Sequence, residues 1–522
     1  MGSAPTREAS RDAVVALAGP ALAEIDQLLR GLVEAHLVEE RGLSRYGVHD
    51  LLAVYAHRIS SGPEAEAAAA RWLGWLTAHA YRAKQELDPG GLSLDDTRAH
   101  PPIPALSKDE ALRWFTAEQQ NLTLAIHHAA AARSPISWQL LTLCQLQFRR
   151  SGHVHDWMLA ADAVREATNE VRDPTGQLLT IIAQATSRHY ASRYTEAVAF
   201  AGRARELAAE IGDRRREASA ATVAGLAHWQ SGQLAEAARD FADAVERIDP
   251  QASPAMLAVA LNNIGMIEQE RGYIGRAMSN YQQALEINER LGRRAGIVSN
   301  LSNIAWAYYD RDDFTESAAA YVAILAELNT QQHVAGEAIV REDYTYTLLA
   351  LDRVDEAAEQ AGAAHEAATR ANDPRMRAST LVAVAAVQRR QGRYDEAMAH
   401  LQQAYVTAAQ LQSRRPMALA QLEFARLACV REEPRDAITH ARQAHAIAAA
   451  AGFGLLVAHA HTILATALRA GGDPRQAAEH HELATKQRAQ LGLETERQDI
   501  ALGEPGTPMP HAASGGCPCE TL

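Results

Sequence analysis

Lysine is nearly missing from this 522-residue chain: only Lys84, Lys108 and Lys486 occur among 51 lysines and arginines. Arginine is therefore the ordinary surface cation, a pattern we read as GC-rich coding bias. Positive charge is also short overall. A formal net charge of −13 makes the chain a poor polyelectrolyte partner for nucleic acid, so DNA is not an expected ligand. Cysteine is scarce: four residues, with Cys144 and Cys429 inside helical patterns, do not make a disulfide framework. Aromatics are only 5% of a chain that is 47% hydrophobic and rich in alanine and leucine, which favours small-residue helix packing over sheets. No apolar run approaches the ~20 residues that span a bilayer, and the first residues carry no secretory pattern. The expected compartment is the cytoplasm. No G-x-x-x-x-G-K-[ST], G-x-G-x-x-G or H-E-x-x-H string occurs. Nothing here would cradle phosphates, so no nucleotide, cofactor, metal or catalytic group is expected.

What the chain does have is a ruler. The stretch 257–292, LAVALNNIGMIEQERGYIGRAMSNYQQALEINERLG, has a diverged second copy forty residues on, in which Gly265 meets Ala305 and Tyr281 meets Tyr321. Extended both ways, one column reads Ala197, Ala237, Ala277, Ser317, Ala357, Ala397, Ala437, Ala477. A second, seven residues later, reads Ala204, Ala244, Ala284, Ile324, Ala364, Ala404, Ala444, Ala484. A fixed period held over eight units without an insertion means stacked repeats.

Each unit reads as a helical hairpin. Its first half has apolar residues at helical spacing, and a Gly or Asp then ends the helix: Gly232, Gly272, Asp312, Asp352, Gly392, Gly472. The second helix puts alanine where backbones approach and a larger residue a turn later, as in Phe241, Tyr281, Tyr321 and Leu401. A further column, Gly212, Gly292, Asn372, Gly452 and Gly492, marks the turn into the next unit. Such a hairpin buries its apolar stripe only against its neighbours.

These columns resemble the tetratricopeptide repeat family in a longer, forty-residue form, over roughly 178–491. The resemblance implies an all-α fold: a right-handed superhelical solenoid of about eight to nine hairpins. The unit around Thr345 departs from the pattern, with Arg341 and Asp343 in a helix that would otherwise be more apolar.

The first part of the chain differs in kind. Residues 1–60 read as a helix carrying Ile25, Leu28, Leu29, Leu32 and Val33, a possible two-strand wing near Val38–Val48, and a second helix. That second helix has Tyr46, His49, Asp50, Leu51, Leu52, Tyr55 and Ala56 in the order Y-x-x-H-D-L-L-x-x-Y-A. The string resembles the winged-helix segment that closes the nucleotide-binding module of NB-ARC-type STAND regulators and of SARP-type antibiotic regulatory transcription factors. Residues 61–135 are similar to the helical linker of those proteins, with Trp114, Glu118, Asn121 and Leu122 matching W-x-x-x-E-x-x-N-L. The expected order is a degenerate winged-helix-like segment at 1–60 and a helical linker at 61–135 with a Pro/Gly-rich loop at 88–107. A diverged capping repeat at 136–177, the repeats at 178–502 and a disordered tail at 503–522 follow. In nucleotide-bound relatives the histidine of the string can approach phosphates. With no phosphate loop in this chain, His49 and Asp50 are expected to serve the start of the helix.

Paired histidines such as His127–His128 and His480–His481 lack the spacing that puts ligands on one helix face, and are expected to be solvated or groove-facing. Cys517 and Cys519 in the tail would be able to bind a soft metal, close a strained disulfide or accept a modification; the plainer alternative is an unstructured end. The first helix of each unit offers a face not used for packing. It carries Trp229 in one unit, Asn262 and Gln269 in the next, then Trp306 and Tyr309, then Glu342 and Tyr346, with Asn263 and Asn303 flanking it. By resemblance this face is concave and takes a peptide or protein: amides pair with its backbone and aromatics anchor it. The alternative is that these aromatics pack on adjacent repeats. Arg389, with Arg390 and Arg426, is placed to stand in for the lysines with which some family members hold a partner's carboxylate. The reading is a non-enzymatic interaction module related to STAND/SARP-type regulators. A DNA-binding regulator, and a carrier whose cysteine-containing tail is processed, are the alternatives.

Overall fold

The computed structural model describes residue 6 and residues 8–19, 24–42, 45–60, 62–87, 103–328 and 334–490. The loop expected at 88–107 falls mostly outside these residues, and Gly492, Cys517, Cys519 and the tail fall wholly outside. The chain divides into two compact units, Met1–Ala191 and Ser192–Leu522.

The first unit opens with β1 (Glu8–Ser10), α1 (Arg11–Ala18), α2 (Ile25–Glu34), β2 (Glu39–Glu40), β3 (Arg45–Gly47) and α3 (Asp50–Ile59). The strands form an antiparallel sheet in the order β1-β3-β2, with Ala9 opposite Tyr46 and Glu40 also opposite Tyr46. The strand pair expected near 38–48 is present, and β1 and α1 are additions that the sequence reading did not contain. Both are too short to show a period, although Ser10 caps α1 by accepting from the Ala13 amide at 3.2 Å.

Helices follow: α4 (Pro63–Leu87), α5 (Lys108–Ala131), α6 (Ile136–Arg150), α7 (Val154–Val171) and α8 (Pro174–Tyr190). A capping box starts α5, in which Ser107 and Glu110 satisfy each other's backbone amides. The core of this unit is built on Trp72, Leu76, Phe115, Phe148 and Trp157. Trp114 stacks on His79 with ring centroids 5.5 Å apart. Glu118 is buried and receives Arg45 of β3 at 2.7 Å and the Asn121 amide at 2.6 Å. Asn121 also donates to the Glu8 carbonyl of β1 at 2.9 Å and accepts from Thr6 at 2.6 Å. The W-x-x-x-E-x-x-N-L string is thus a fastening of α5 to the sheet.

In the second unit α9 (Tyr194–Glu210) precedes seven hairpins. They are α10 (Arg214–Gln230) with α11 (Leu234–Arg247), α12 (Pro254–Glu270) with α13 (Ile274–Arg290), and α14 (Arg294–Asp310) with α15 (Phe314–Leu328). Next come α16 (Val334–Ala350) with α17 (Val354–Arg370) and α18 (Pro374–Arg390) with α19 (Tyr394–Gln410). The last are α20 (Arg414–Val430) with α21 (Pro434–Ala451) and α22 (Gly454–Ala470) with α23 (Pro474–Gln490). The two alanine columns are fully buried or nearly so. Every described member of the turn columns has a positive φ, from Gly272 at 89° to Asn372 at 52°. The irregular unit keeps its helix: Arg341 of α16 pairs with Glu337 at 2.9 Å and Gln360 at 2.7 Å.

Successive repeats also meet out of sequence. A Cβ at Gly232 would lie 2.8 Å from Arg414 Cδ and 2.9 Å from Ala451 Cβ. Ile274 shares an apolar cluster with Leu455, Arg375 hydrogen-bonds Tyr194, and Arg488 pairs with Asp312 at 3.5 Å. The partners lie between about four and a half and five and a half repeats apart, so one turn of the solenoid rests on the next along a seam.

Candidate functional site

The inner face of the first helices is built by periodicity: residues three before, one after and four after the Gly265 column share one side of each helix. The structure brings these positions together in the second unit and covers them. Trp229, Asn262, Asn263, Gln269, Asn303, Trp306, Tyr309, Tyr346 and Arg389 are all buried, with Trp306 at 1% exposure and Tyr346 at 0%. In the form described, the face is an interior.

Its amides are largely engaged with one another. Asn262 accepts from Asn300 and Asn303, each at 2.8 Å, and Asn288 donates to Asn300 at 2.8 Å. Gln269 accepts from the Tyr281 hydroxyl at 2.8 Å and donates to Asp310 at 2.7 Å. Asn263, wholly buried, has no hydrogen-bond partner for either side-chain atom, and neither the Trp229 indole N–H nor the Tyr346 hydroxyl has one. Trp306 stacks on Tyr309 with centroids 4.1 Å apart and meets Tyr346 edge-on at 6.2 Å.

The arginines are committed. Arg389 donates to Glu423 at 3.1 Å and Arg426 to the same carboxylate at 2.9 Å. Arg390 holds Asp352 at 2.5 Å. Arg389, expected to stand in for a lysine that holds a partner's carboxylate, has an internal carboxylate in that place in the form described. Arg415 pairs with Glu270 across the seam. Burial pushes Asp310 up to about 7 and Glu342 up to about 8, with the donors Gln269 and Ser379 only partly offsetting it. Glu423, with two arginines, is held below the usual carboxylate range despite its burial.

Glu270, Asp310, Glu423 and Arg415 were not singled out from sequence. A signal existed for two of them, since Glu270 and Asp310 stand one ruler step apart at the end of their helices. Arg415 has no such signature; only the seam reveals it. Elsewhere, His49 occupies the cap position of α3 without a side-chain capping bond. Cys144 and Cys429 are poor nucleophiles, because burial raises both thiols, Cys429 to about 11.

Residues 258–290 match the family model of the tetratricopeptide repeat. The chain carries tetratricopeptide repeats. Over 270 residues, half of the chain, it is 25% identical to the regulatory protein AfsR of Streptomyces griseus, and the match spans 28% of that protein's length. The fold is similar to that of a Rap protein solved in complex with competence and sporulation factor, with a TM-score of 0.53 and 12% identity over 69% of this chain and 99% of that one. It is also similar, at a TM-score of 0.39 and 12% identity, to a STAND protein with a tetratricopeptide repeat sensor from Pyrococcus horikoshii, over 93% of this chain and 62% of that one. Among the described residues, no helix is long and apolar enough to cross a membrane.

Proposed function

We propose that this protein is a non-enzymatic regulatory module whose repeats take a peptide or protein partner on the inner face of their first helices. One observation carries the reading: polar groups sit unpaired on that face, at Trp229 and Tyr346, and on its flank, at Asn263. Buried amides are normally hydrogen-bonded, and leaving one unmade costs about 1–3 kcal/mol. Asn263 bears that cost at both side-chain atoms. A group kept at a cost to folding is explained if something else uses it. The Rap protein of like fold, solved with its factor bound, and the regulatory protein AfsR lend support of a coarser kind. A DNA-reading role for α3 fares worse, because its exposed residues include Leu51, Val54, Tyr55 and Ile59 rather than a basic stripe.

The test is capture of partners by the full chain, followed by the same capture with Asn263→Ala. The variant is expected to keep or gain thermal stability, since it removes an unsatisfied group, and to lose at least tenfold in partner retention. Equal retention by the two proteins would place binding away from this face.

A further inference from the structure

The interior of the second unit is unbalanced in charge. Glu423 has two arginines and Glu270 has one. Glu342 and Asp310, equally enclosed, have no direct ion pair and feel only the more distant charge of Arg415: Glu342 accepts from the Ser379 hydroxyl at 2.6 Å, and Asp310 from the Gln269 amide at 2.7 Å. A buried carboxylate is ordinarily paired, or else it neutralises by taking a proton. The high proton affinity of Glu342 is the mark of the second case.

What surrounds Glu342 makes this more than an acidic spot. Tyr346 follows it by one helical turn, on the same side of α16. Its hydroxyl is wholly buried, without a hydrogen-bond partner, and lies within electrostatic reach of Glu342 and Glu423. Trp306 meets the Tyr346 ring edge-on. A carboxylate, an idle hydroxyl and an indole form the environment that an ammonium or guanidinium group recognises, through charge, hydrogen bonding and the aromatic face. The positive groups that would have served an anionic partner, Arg389 and Arg426, are already engaged by Glu423.

Resting on the reading of the inner face as a peptide site, we infer that the partner inserts a cationic side chain, lysine or arginine, against Glu342 between Trp306 and Tyr346. The side chains involved are covered, so entry requires the seam between turns to part. The contacts described there are local ones: the Glu270–Arg415 and Asp312–Arg488 pairs, the Arg375–Tyr194 hydrogen bond, and apolar contacts around Gly232 and Ile274.

The probes are two mixed libraries of terminally blocked hexapeptides, alike except for a fixed central arginine or its neutral isostere citrulline. Retention on the full chain is measured by mass spectrometry at pH 7. The wild type is expected to enrich the arginine library at least tenfold over the citrulline library. Glu342→Gln, which resembles the uncharged carboxyl of the empty site and so should fold, is expected to bring the ratio near one. Tyr346→Phe, which removes only the idle hydroxyl, is expected to lower it at least threefold. Equal retention of both libraries, or an undiminished ratio in either variant, would overturn the cationic assignment and leave the peptide module standing. Retention of neither library by the wild type would overturn both. Stabilisation by spermidine as large as that by the arginine library would replace the peptide with a free amine, and so overturn the inference.

Discussion

Glu342 and His461 set two opposite limits on the pH range in which the repeats are stable. Burial lifts Glu342 to about 8, so the folded chain keeps a proton that the unfolded chain would release. Its contribution is complete at low pH and is lost as pH rises through about 8. His461 is held down to about 4 by burial first, then by His445 and His480, whose rings lie 4.6 and 5.1 Å away. Folding there resists protonation, so stability is lost as pH falls below about 6.5. Glu342→Gln should therefore match the wild type near pH 5 and exceed it at pH 9 by on the order of a few kcal/mol, read from urea midpoints. Parallel profiles would mean that Glu342 ionises without strain. Trp306 belongs to the same scale. On the sequence alone it stood between groove and core; at 1% exposure it is enclosed, so its truncation is not a clean binding test. Trp306→Ala is expected to cost about 3–5 kcal/mol, visible as a lowered melting temperature before any effect on affinity. An unchanged melting temperature would show that its packing is loose.

Within a hairpin, the decisive relation is between a small residue on the first helix and a large one on the second. A Cβ on Gly265 would lie 2.6 Å from the Tyr281 ring, and one on Gly225 would lie 2.7 Å from Phe241. Where the first position enlarges to Thr345, the second shrinks to Ala361. That exchange is how the irregular unit stays in register. Gly265→Ala should destabilise by about 1–3 kcal/mol through overpacking, as measured by urea denaturation. A neutral result would mean that Tyr281 swings aside at no cost. The same relation explains what was legible in the sequence. Helix contacts inside and between adjacent repeats recur every forty residues, so they print columns, and the hairpins, turns and inner-face positions follow from them. β1 and α1 print nothing because they are three and eight residues long. The Glu118–Asn121 string was legible as a motif, but its work of tying α5 to Thr6, Glu8 and Arg45 depends on residues that no period connects to it.

At the scale of the whole second unit, the seam is what sequence patterning missed. Its partners are separated by anything from about three and a half to about five and a half repeats and differ in kind at each point, so no column records them. They make the stability of the array more than a sum over neighbours. Whether that interior is the binding surface can be asked of one protein in two states. A Cβ at Gly452 would lie 3.8 Å from Leu234 Cβ, close to the mean of about 3.8 Å for disulfides. Leu234→Cys with Gly452→Cys, in a background where Cys517 and Cys519 are serine, would then fasten two turns together when oxidised and free them when reduced. The direct measurement is retention of the arginine-containing hexapeptide library by the two forms. The expected result is at least a tenfold loss on oxidation, restored by reduction. Undiminished retention by the oxidised form would contradict the account and move the site to the outer surface.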